Sequence, residues 1–131
     1  MQKENKIILD ASALLALLNS EIGKDNVELL LPYSVMSTVN ASEVISELYS
    51  KLNISVEDGK KMVETVVHTI VPFSLEQAVE TAKLKDSTKK LGLSLGDRAC
   101  LSLGKLNNYK VYTADKIWAK LDIGVKVELI R

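Results

Sequence analysis

Four acidic residues stand at positions where they can act together on a phosphodiester. Asp10 follows the apolar run KIIL, Glu43 lies in NASEV, Asp97 lies in SLGDR and Asp115 follows KVYTA. Several carboxylates in one cleft repel each other and raise one another's pKa, and a hard divalent cation with oxygen ligands relieves that repulsion. The pattern therefore predicts a site for Mg²⁺ or Mn²⁺ and metal-assisted phosphodiester hydrolysis.

Helix capping explains each of these acids when it is taken singly. The spacings Asn40-Ala41-Ser42-Glu43 and Ser94-Leu95-Gly96-Asp97 both fit a capping box, and Asp10 and Asp115 fit simple N-caps. Ser55 and Asp58 share that capping-box spacing in a segment to which no chemistry is assigned. Both interpretations stay open at this point, since one carboxylate can cap a helix and bind a cation.

The elements that would position these residues alternate along the chain. Five runs are typical of strands, namely Lys6–Leu9, Tyr33–Val39, Thr69–Phe73, Lys110–Thr113 and Gly124–Ile130. Three longer stretches have helical periodicity, namely Ala41–Leu52, Leu75–Leu91 and Leu95–Leu106. Strands separated by helices predict a three-layer α/β/α fold with a five-stranded, mostly parallel sheet, whose ligands bind at the carboxyl ends of the strands. If the first strand is flanked by the second and fourth, the acids that follow these strands converge on one rim.

Composition narrows the class of protein. The chain has 131 residues, 47% of them hydrophobic and 26% charged, which excludes intrinsic disorder and predicts a single domain over residues 1–131. One cysteine, Cys100, excludes an internal disulfide and a cysteine-based zinc site, and its place on a helical apolar stripe predicts a core position. No apolar run is long enough to span a membrane, and Asp10 interrupts the only leader-like segment. We therefore expect a cytoplasmic protein.

Charge is unevenly distributed although the net charge is zero. The first 66 residues carry 6 Lys and Arg against 10 Asp and Glu, and the remainder carry 11 against 7. Four lysines, Lys83, Lys85, Lys89 and Lys90, concentrate the positive charge of the second half. Such lysines usually lie on a solvated helix face, and a role in contacting a phosphate backbone is the alternative.

Four segments together resemble a known family. IILDASALLALL, STVNASEVISEL, GLSLGDRACLSLG and VYTADKIW are similar to the four signature segments of PIN-domain ribonucleases, and most of all to the VapC-type toxins of bacterial toxin–antitoxin pairs. The resemblance covers nearly the whole chain in the same order, and GLSLGDRACL is its most specific part.

The resemblance implies a Mg²⁺- or Mn²⁺-dependent endoribonuclease that cuts RNA, forms a homodimer and is neutralised by a cognate antitoxin. Asp10, Glu43, Asp97 and Asp115 match the acidic quartet of the family, as catalytic and metal-binding residues. Ser12, Asn40 and Thr113 match its supporting polar positions. Some relatives carry a further acid two residues after the fourth carboxylate, where this chain has Ile117. That difference argues against a well-occupied second metal site.

Three alternatives remain from the sequence. The first is a housekeeping RNA-processing nuclease of the same fold, and the second is a catalytically inactive interaction domain, which the presence of all four acids disfavours. The third is a receiver-like phosphoacceptor module, which requires an acceptor aspartate after the third strand. There the chain reads Val71-Pro72-Phe73-Ser74, without an acid.

Overall fold

A parallel five-stranded sheet forms the middle of the molecule. The computed structural model describes residues 5–131. The strands are β1 (Ile7–Leu9), β2 (Ser34–Ser37), β3 (Thr69–Val71), β4 (Lys110–Thr113) and β5 (Val127–Leu129). Their order is β3-β2-β1-β4-β5, and every neighbouring pair is parallel. All five predicted strand segments are confirmed, each with trimmed ends except β4, and β1 lies between β2 and β4 as the convergence argument requires.

Within residues 5–131, six helices cover the sheet. They are α1 (Ala11–Leu18), α2 (Lys24–Leu30), α3 (Thr38–Leu52), α4 (Val56–Val66), α5 (Leu75–Thr88) and α6 (Leu95–Asn107). Short 3₁₀ turns occupy Leu31–Tyr33, Lys89–Leu91 and Lys116–Lys120. The long predicted helix over 75–91 therefore ends at Thr88 and continues as a 3₁₀ turn.

The strands direct alternate side chains into two separate cores. Ile7 and Leu9 pack with helices α1 to α4 on one face, whereas Ile8 packs with α5 and α6 on the other. Cys100 is fully buried in this second core, as its place on the apolar stripe predicted. The three-layer α/β/α architecture is thus confirmed. Among the described residues, no helix is both long and apolar enough to cross a bilayer.

The start of α3 corrects one prediction. Asn40 does not open the helix, because Ser37 is the N-cap and its Oγ accepts the backbone N–H of Val39 at 3.1 Å. Thr38 and Val39 are β-branched and favour a strand, but the serine cap at the end of β2 starts the helix before them. Asn40 therefore lies inside the first turn and is buried, which frees its side chain for other contacts.

Candidate active site

Asp10 lies at the carboxyl end of the central strand, where three hydrogen-bond donors fix its carboxylate. Ser12 Oγ is 2.7 Å and 2.9 Å from the two oxygens, and the backbone N–H of Ala13 donates to Oδ1 at 2.8 Å. Thr113, at the end of β4, donates its hydroxyl to Oδ2 at 2.6 Å. Asp10 is therefore both the N-cap of α1 and the centre of a polar network between β1 and β4.

The two hydroxyls can direct their protons at Asp10 because backbone groups supply protons to their oxygens. Ser12 Oγ accepts the N–H of Ala114 at 2.9 Å, and Thr113 Oγ1 accepts the N–H of Asp115 at 3.0 Å. Ser12 Oγ also lies 3.3 Å from Thr113 Oγ1, a longer separation than those to the two Asp10 oxygens. With one proton each from Ser12, Ala13 and Thr113, the Asp10 carboxylate keeps one acceptor position open to a further ligand.

Burial and hydrogen bonding act on Asp10 in opposite directions. Burial is the larger effect and raises the pKa of Asp10 to about 6, while the bonds from Thr113, Ala13 and Ser12 lower it. The negative charge of Asp97 adds a small further increase to this pKa. Asp10 is thus ionised at neutral pH but close to its titration range.

Glu43 reaches the same rim from α3. The amide of Asn40 donates to Glu43 Oε1 at 2.9 Å and to the carbonyl of Gly96 at 3.0 Å. Burial raises the pKa of Glu43, the Asn40 bond lowers it, and the charge of Asp97 raises it again. Asn40 thus connects the first turn of α3 to the first turn of α6, where Asp97 lies.

Gly96 makes room for this arrangement. A Cβ atom at position 96 would overlap the carboxylate of Glu43, with the nearest atoms all in that side chain. Only glycine lets the N-terminus of α6 approach α3 with the glutamate between them. Gly96 lies within GLSLGDRACL, but the sequence did not identify it as a site residue. The structure gives it a positioning role.

Asp97 forms a complete capping box. Ser94 Oγ accepts the N–H of Asp97 at 3.1 Å, and the Asp97 carboxylate accepts the N–H of Ser94 at 3.0 Å. The capping interpretation is therefore confirmed for Asp97, and the same side chain raises the pKa of both Asp10 and Glu43. Asp97 thus caps α6 while its charge acts on two other acids of the rim.

Asp115 stands apart from the other three acids. Its side chain accepts the N–H of Ile117 at 3.0 Å and caps the 3₁₀ turn Lys116–Lys120. It is exposed, and its charge does not contribute to the raised pKa of Asp10 or Glu43. The structure connects it to the site through its backbone N–H, which Thr113 Oγ1 accepts.

An open cleft of about 400 Å³ runs beside these acids. It is lined by Ala11, Ser12, Leu15, Glu43, Ser46, Glu47 and Asp97. Glu47 was missed from the sequence, although it lies four residues after Glu43 and so on the same helix face. It pairs with Lys51 at 3.0 Å. Within residues 5–131, no lysine or arginine forms an ion pair with Asp10, Glu43 or Asp97.

The donor chemistry of this rim fits a hard divalent cation. The acids offer only oxygen ligands, and Asn40 Oδ1 is buried without a hydrogen-bond partner among the described residues. Its amide orientation is set by two acceptors, Glu43 Oε1 and the Gly96 carbonyl. Over the same residues, however, no three His, Cys, Asp or Glu side chains lie close enough together to hold a metal ion as they stand. The ligand atoms are therefore of the kind that a divalent cation prefers, but they do not form a preformed metal-binding cage.

These features define a class of protein, namely an α/β domain with an acid-lined cleft at the carboxyl edge of a parallel sheet. A family model of the PIN domain matches residues 7–124, and the chain belongs to that family. Among curated protein sequences, none matches the chain.

Solved structures share the fold at low sequence identity. A chain of the DNA-bound VapBC complex from Salmonella typhimurium superposes with a TM-score of 0.72 at 15% identity, covering 96% of this chain and 98% of that one. VapC20 from Mycobacterium tuberculosis, described as a sarcin–ricin loop cleaving toxin, gives 0.73 at 15% identity, covering 92% and 99%. A toxin–antitoxin complex from Klebsiella pneumoniae gives 0.71 at 18% identity, covering 92% and 99%. The chain is thus similar in fold to toxin–antitoxin PIN proteins.

Proposed function

We propose that this PIN domain is a metal-dependent endoribonuclease with its active centre at the Asp10 rim. The observation that carries the proposal is the charge of Asp97 acting on both Asp10 and Glu43 beside one cleft, without a paired cation among the described residues. Carboxylates are kept unpaired at a cost in repulsion, which a bound cation offsets. Mg²⁺ and Mn²⁺ are the ions that an all-oxygen donor set favours.

Each residue of the rim has a separate task in this proposal. Asp10 and Asp97 hold the cation, directly or through water, and Glu43 either ligates it or orients the attacking water. Asp115 contributes from the next strand end. When bound, the cation supplies an activated water and offsets charge on the phosphate oxygens.

The supporting residues keep the acids in place and ionised. Ser12 and Thr113 donate to Asp10, which holds its carboxylate in one orientation and lowers its pKa against the effect of burial. Asn40 performs the corresponding task for Glu43. A reaction that depends on charge at fixed positions benefits from such preorganisation.

Cleavage of an RNA pool by the purified protein tests the enzymatic proposal. We expect fragments in Mg²⁺ or Mn²⁺, none in excess chelator and recovery when the metal is restored, with single-stranded DNA of the same sequence left uncut. Asp10→Asn should be inactive under all these conditions. Cutting of DNA and RNA at equal rates would contradict the choice of substrate while leaving the metal site intact.

The cellular role that we propose is that of a toxin neutralised by a cognate antitoxin. A second, apolar groove between α3 and α4 supports a protein partner. It is lined by residues that include Ala41, Ile45, Tyr49, Val56, Val63 and Ile70, and it measures about 660 Å³. Ser46 lines both this groove and the acidic cleft, so one bound segment can fill both.

This partner would occupy the groove with apolar side chains and the cleft with a basic one. An arginine or lysine inserted among the acids would replace the cation, so antitoxin binding and metal binding should compete. The test is to look for a short reading frame immediately upstream of the gene and to compare induced expression with and without it. We expect growth arrest that this neighbour relieves. A harmless protein that still cuts RNA would favour the alternative of a housekeeping RNA-processing nuclease.

Introducing a charged side chain tests whether the groove binds the protein partner. Tyr49→Glu should weaken binding of the neighbour's product without changing RNA cleavage, because Tyr49 is exposed and outside the acidic cleft. Val79→Glu, which changes a similarly exposed apolar residue on α5, is the matched control. In the same preparations, we expect the isolated protein to run as a homodimer in solution.

A further inference from the structure

The last turn of α5 and the turn after it carry an unpaired positive surface at the same end of the helix pair as the first turn of α6. Lys85, Lys89 and Lys90 are exposed, and among residues 5–131 none of them forms an ion pair. Asp86 is the only acid between Lys83 and Gly96. We call Lys85, Lys89 and Lys90 the lysine patch.

The patch contains three of the four lysines that the sequence grouped together. Lys85 and Lys89 are four residues apart and share a helix face, and Lys90 follows directly in the 3₁₀ turn Lys89–Leu91. Lys83 lies about 200° around the helix from Lys85, so it points to another side. Lys85 and Lys89 therefore share one face, and Lys90 adds a third positive charge at the end of the same helix.

Contacts between α5 and α6 show which end of α6 the patch adjoins. Glu80 pairs with Lys105 at 3.5 Å, and Thr81 Oγ1 donates to Ser102 Oγ at 2.9 Å. Arg98 Nη1 donates to the carbonyl of Thr81 at 3.1 Å. The two helices are thus antiparallel, and the end of α5 lies at and beyond the start of α6.

The patch is also fixed relative to Asp97. Leu84, in the last turns of α5, is buried with Leu101 of α6 in one core cluster. Thr88 is buried, and its hydroxyl donates to the carbonyl of Leu84 at 2.7 Å. Lys90 precedes Asp97 by seven residues, a separation that spans at most about 25 Å of chain. A strand with one phosphate at the acidic cleft can therefore place a phosphate a few nucleotides further along at the patch.

We propose that the lysine patch binds the phosphate backbone of the RNA on one side of the cleavage site. The proposal rests on the proposed ribonuclease function and adds the direction in which the substrate leaves the cleft. Acidic residues at the cleft repel RNA, so an enzyme of zero net charge needs a separate positive surface to attract it. The lysine patch supplies that charge on the same rigid pair of helices that carries Asp97.

The test measures RNA binding without cleavage. Affinity for a short single-stranded RNA of mixed sequence is measured in chelator at several salt concentrations, for the parent and for a triple variant, Lys85→Gln, Lys89→Gln and Lys90→Gln. Each phosphate contact contributes roughly 0.7 to the slope of log affinity against log salt for a single strand, so the slope should fall by about 2. The loss in affinity should be roughly fivefold per lysine near 0.1 M salt.

The matched control removes the same charge elsewhere, through Lys24→Gln, Lys60→Gln and Lys61→Gln on α2 and α4. All three control lysines are exposed, so both triple variants should melt as the parent does. The control should retain the parent slope. An unchanged slope in the patch variant, or an equal fall in both variants, overturns the proposal.

The readout separates this proposal from the proposed function. A patch variant with the reduced slope supports RNA binding at this surface even if the parent never cuts RNA. Conversely, a parent that cuts RNA while both variants bind it equally would refute the patch alone. If the patch variant binds RNA like the parent but loses affinity for an acidic peptide, the surface serves a protein partner and the RNA assignment is wrong.

Discussion

The carboxylate of Glu43 occupies the space that a methyl group on Gly96 would fill. Asn40 joins the same two residues by donating both amide protons, one to the Glu43 carboxylate and one to the Gly96 carbonyl. The first turn of α6 and the acid on α3 are therefore held in one geometry. The position of Glu43 depends on the absence of a side chain at residue 96.

Gly96→Ala should move Glu43 without removing it. Because the added methyl group overlaps the carboxylate, we expect RNA cleavage to fall roughly a hundredfold, as for other misplaced catalytic groups. The control is Gly59→Ala in α4, where the nearest atom to the added Cβ is Ile45 Cγ2 at 3.3 Å. That variant should cut RNA at the parent rate. Parent activity in Gly96→Ala would show that Glu43 has no positional role.

Asp97→Asn separates the capping role from the charge. Asparagine can still accept the N–H of Ser94, so the cap is retained while the repulsion toward Asp10 and Glu43 disappears. We expect a melting temperature in chelator at or above that of the parent, together with a loss of cleavage of about a hundredfold or more.

Asp97→Ala keeps the bond from its backbone N–H to Ser94 Oγ but loses both the charge and the bond from the Ser94 N–H to the carboxylate, so its free energy of unfolding should lie about 1 kcal/mol below that of Asp97→Asn. Asp58→Ala is the control. Ser55 Oγ accepts the N–H of Asp58 at 3.1 Å, an interaction that the substitution leaves in place, so only a small effect through the helix dipole should remain. A stable Asp97→Asn protein that cuts RNA at the parent rate would remove Asp97 from the site.

Thr113→Val should shift the pH dependence of the reaction. The hydroxyl of Thr113 lowers the pKa of Asp10, so its loss raises that pKa and moves the acidic limb of the rate profile to higher pH. Thr81→Val, which removes another buried threonine hydroxyl that donates a hydrogen bond, should cost about 1 kcal/mol in stability without moving the profile. Identical profiles for the two variants would contradict the role of Thr113.

The buried carboxyl of Asp10 should also make stability depend on pH in the absence of metal. Its pKa is about 6 in the folded chain against 3.8 for the unconstrained group, so the folded state holds a proton that the unfolded state releases between these values. Stability from this group is thus full below about pH 4, falls as pH rises and is constant above about pH 6, with a total loss of roughly 3 kcal/mol.

Asp10→Asn should abolish this pH-dependent part of the free energy of unfolding. The measurement is chemical unfolding in chelator across the interval, compared between parent and variant. If the difference in free energy of unfolding between the two proteins stays constant with pH, burial does not raise the pKa of Asp10.

Several parts of this architecture follow from sequence patterns alone. The apolar runs and helical periodicity located all five strands and three of the helices, because each core-facing element has a regular pattern. Helix α1 has no polar face to reveal its period, since ASALLALL is apolar nearly throughout. The early start of α3 was hidden because Thr38 and Val39 favour strands and a single serine hydroxyl decides otherwise.

The candidate site could likewise be predicted from the sequence only in part. Strand ends and acid spacing pointed to Asp10, Glu43, Asp97 and Asp115, but local sequence cannot tell which charges lie within reach of each other. Three of them interact, while Asp115 is turned toward the N–H of Ile117. The sequence does not reveal the role of Gly96, because the need for glycine at this position comes from the side chain of Glu43, more than 50 residues away in sequence.

The rate of RNA cleavage, measured as Mg²⁺ or Mn²⁺ is titrated into metal-free protein, shows whether the Asp10 rim is a metal-dependent centre. We expect no cleavage in excess chelator, a saturable rise with added metal in the parent, and no rise at any concentration in Asp10→Asn. Undiminished cleavage in excess chelator, or an Asp10→Asn protein that the metal activates as it does the parent, would contradict a metal-dependent centre at this rim.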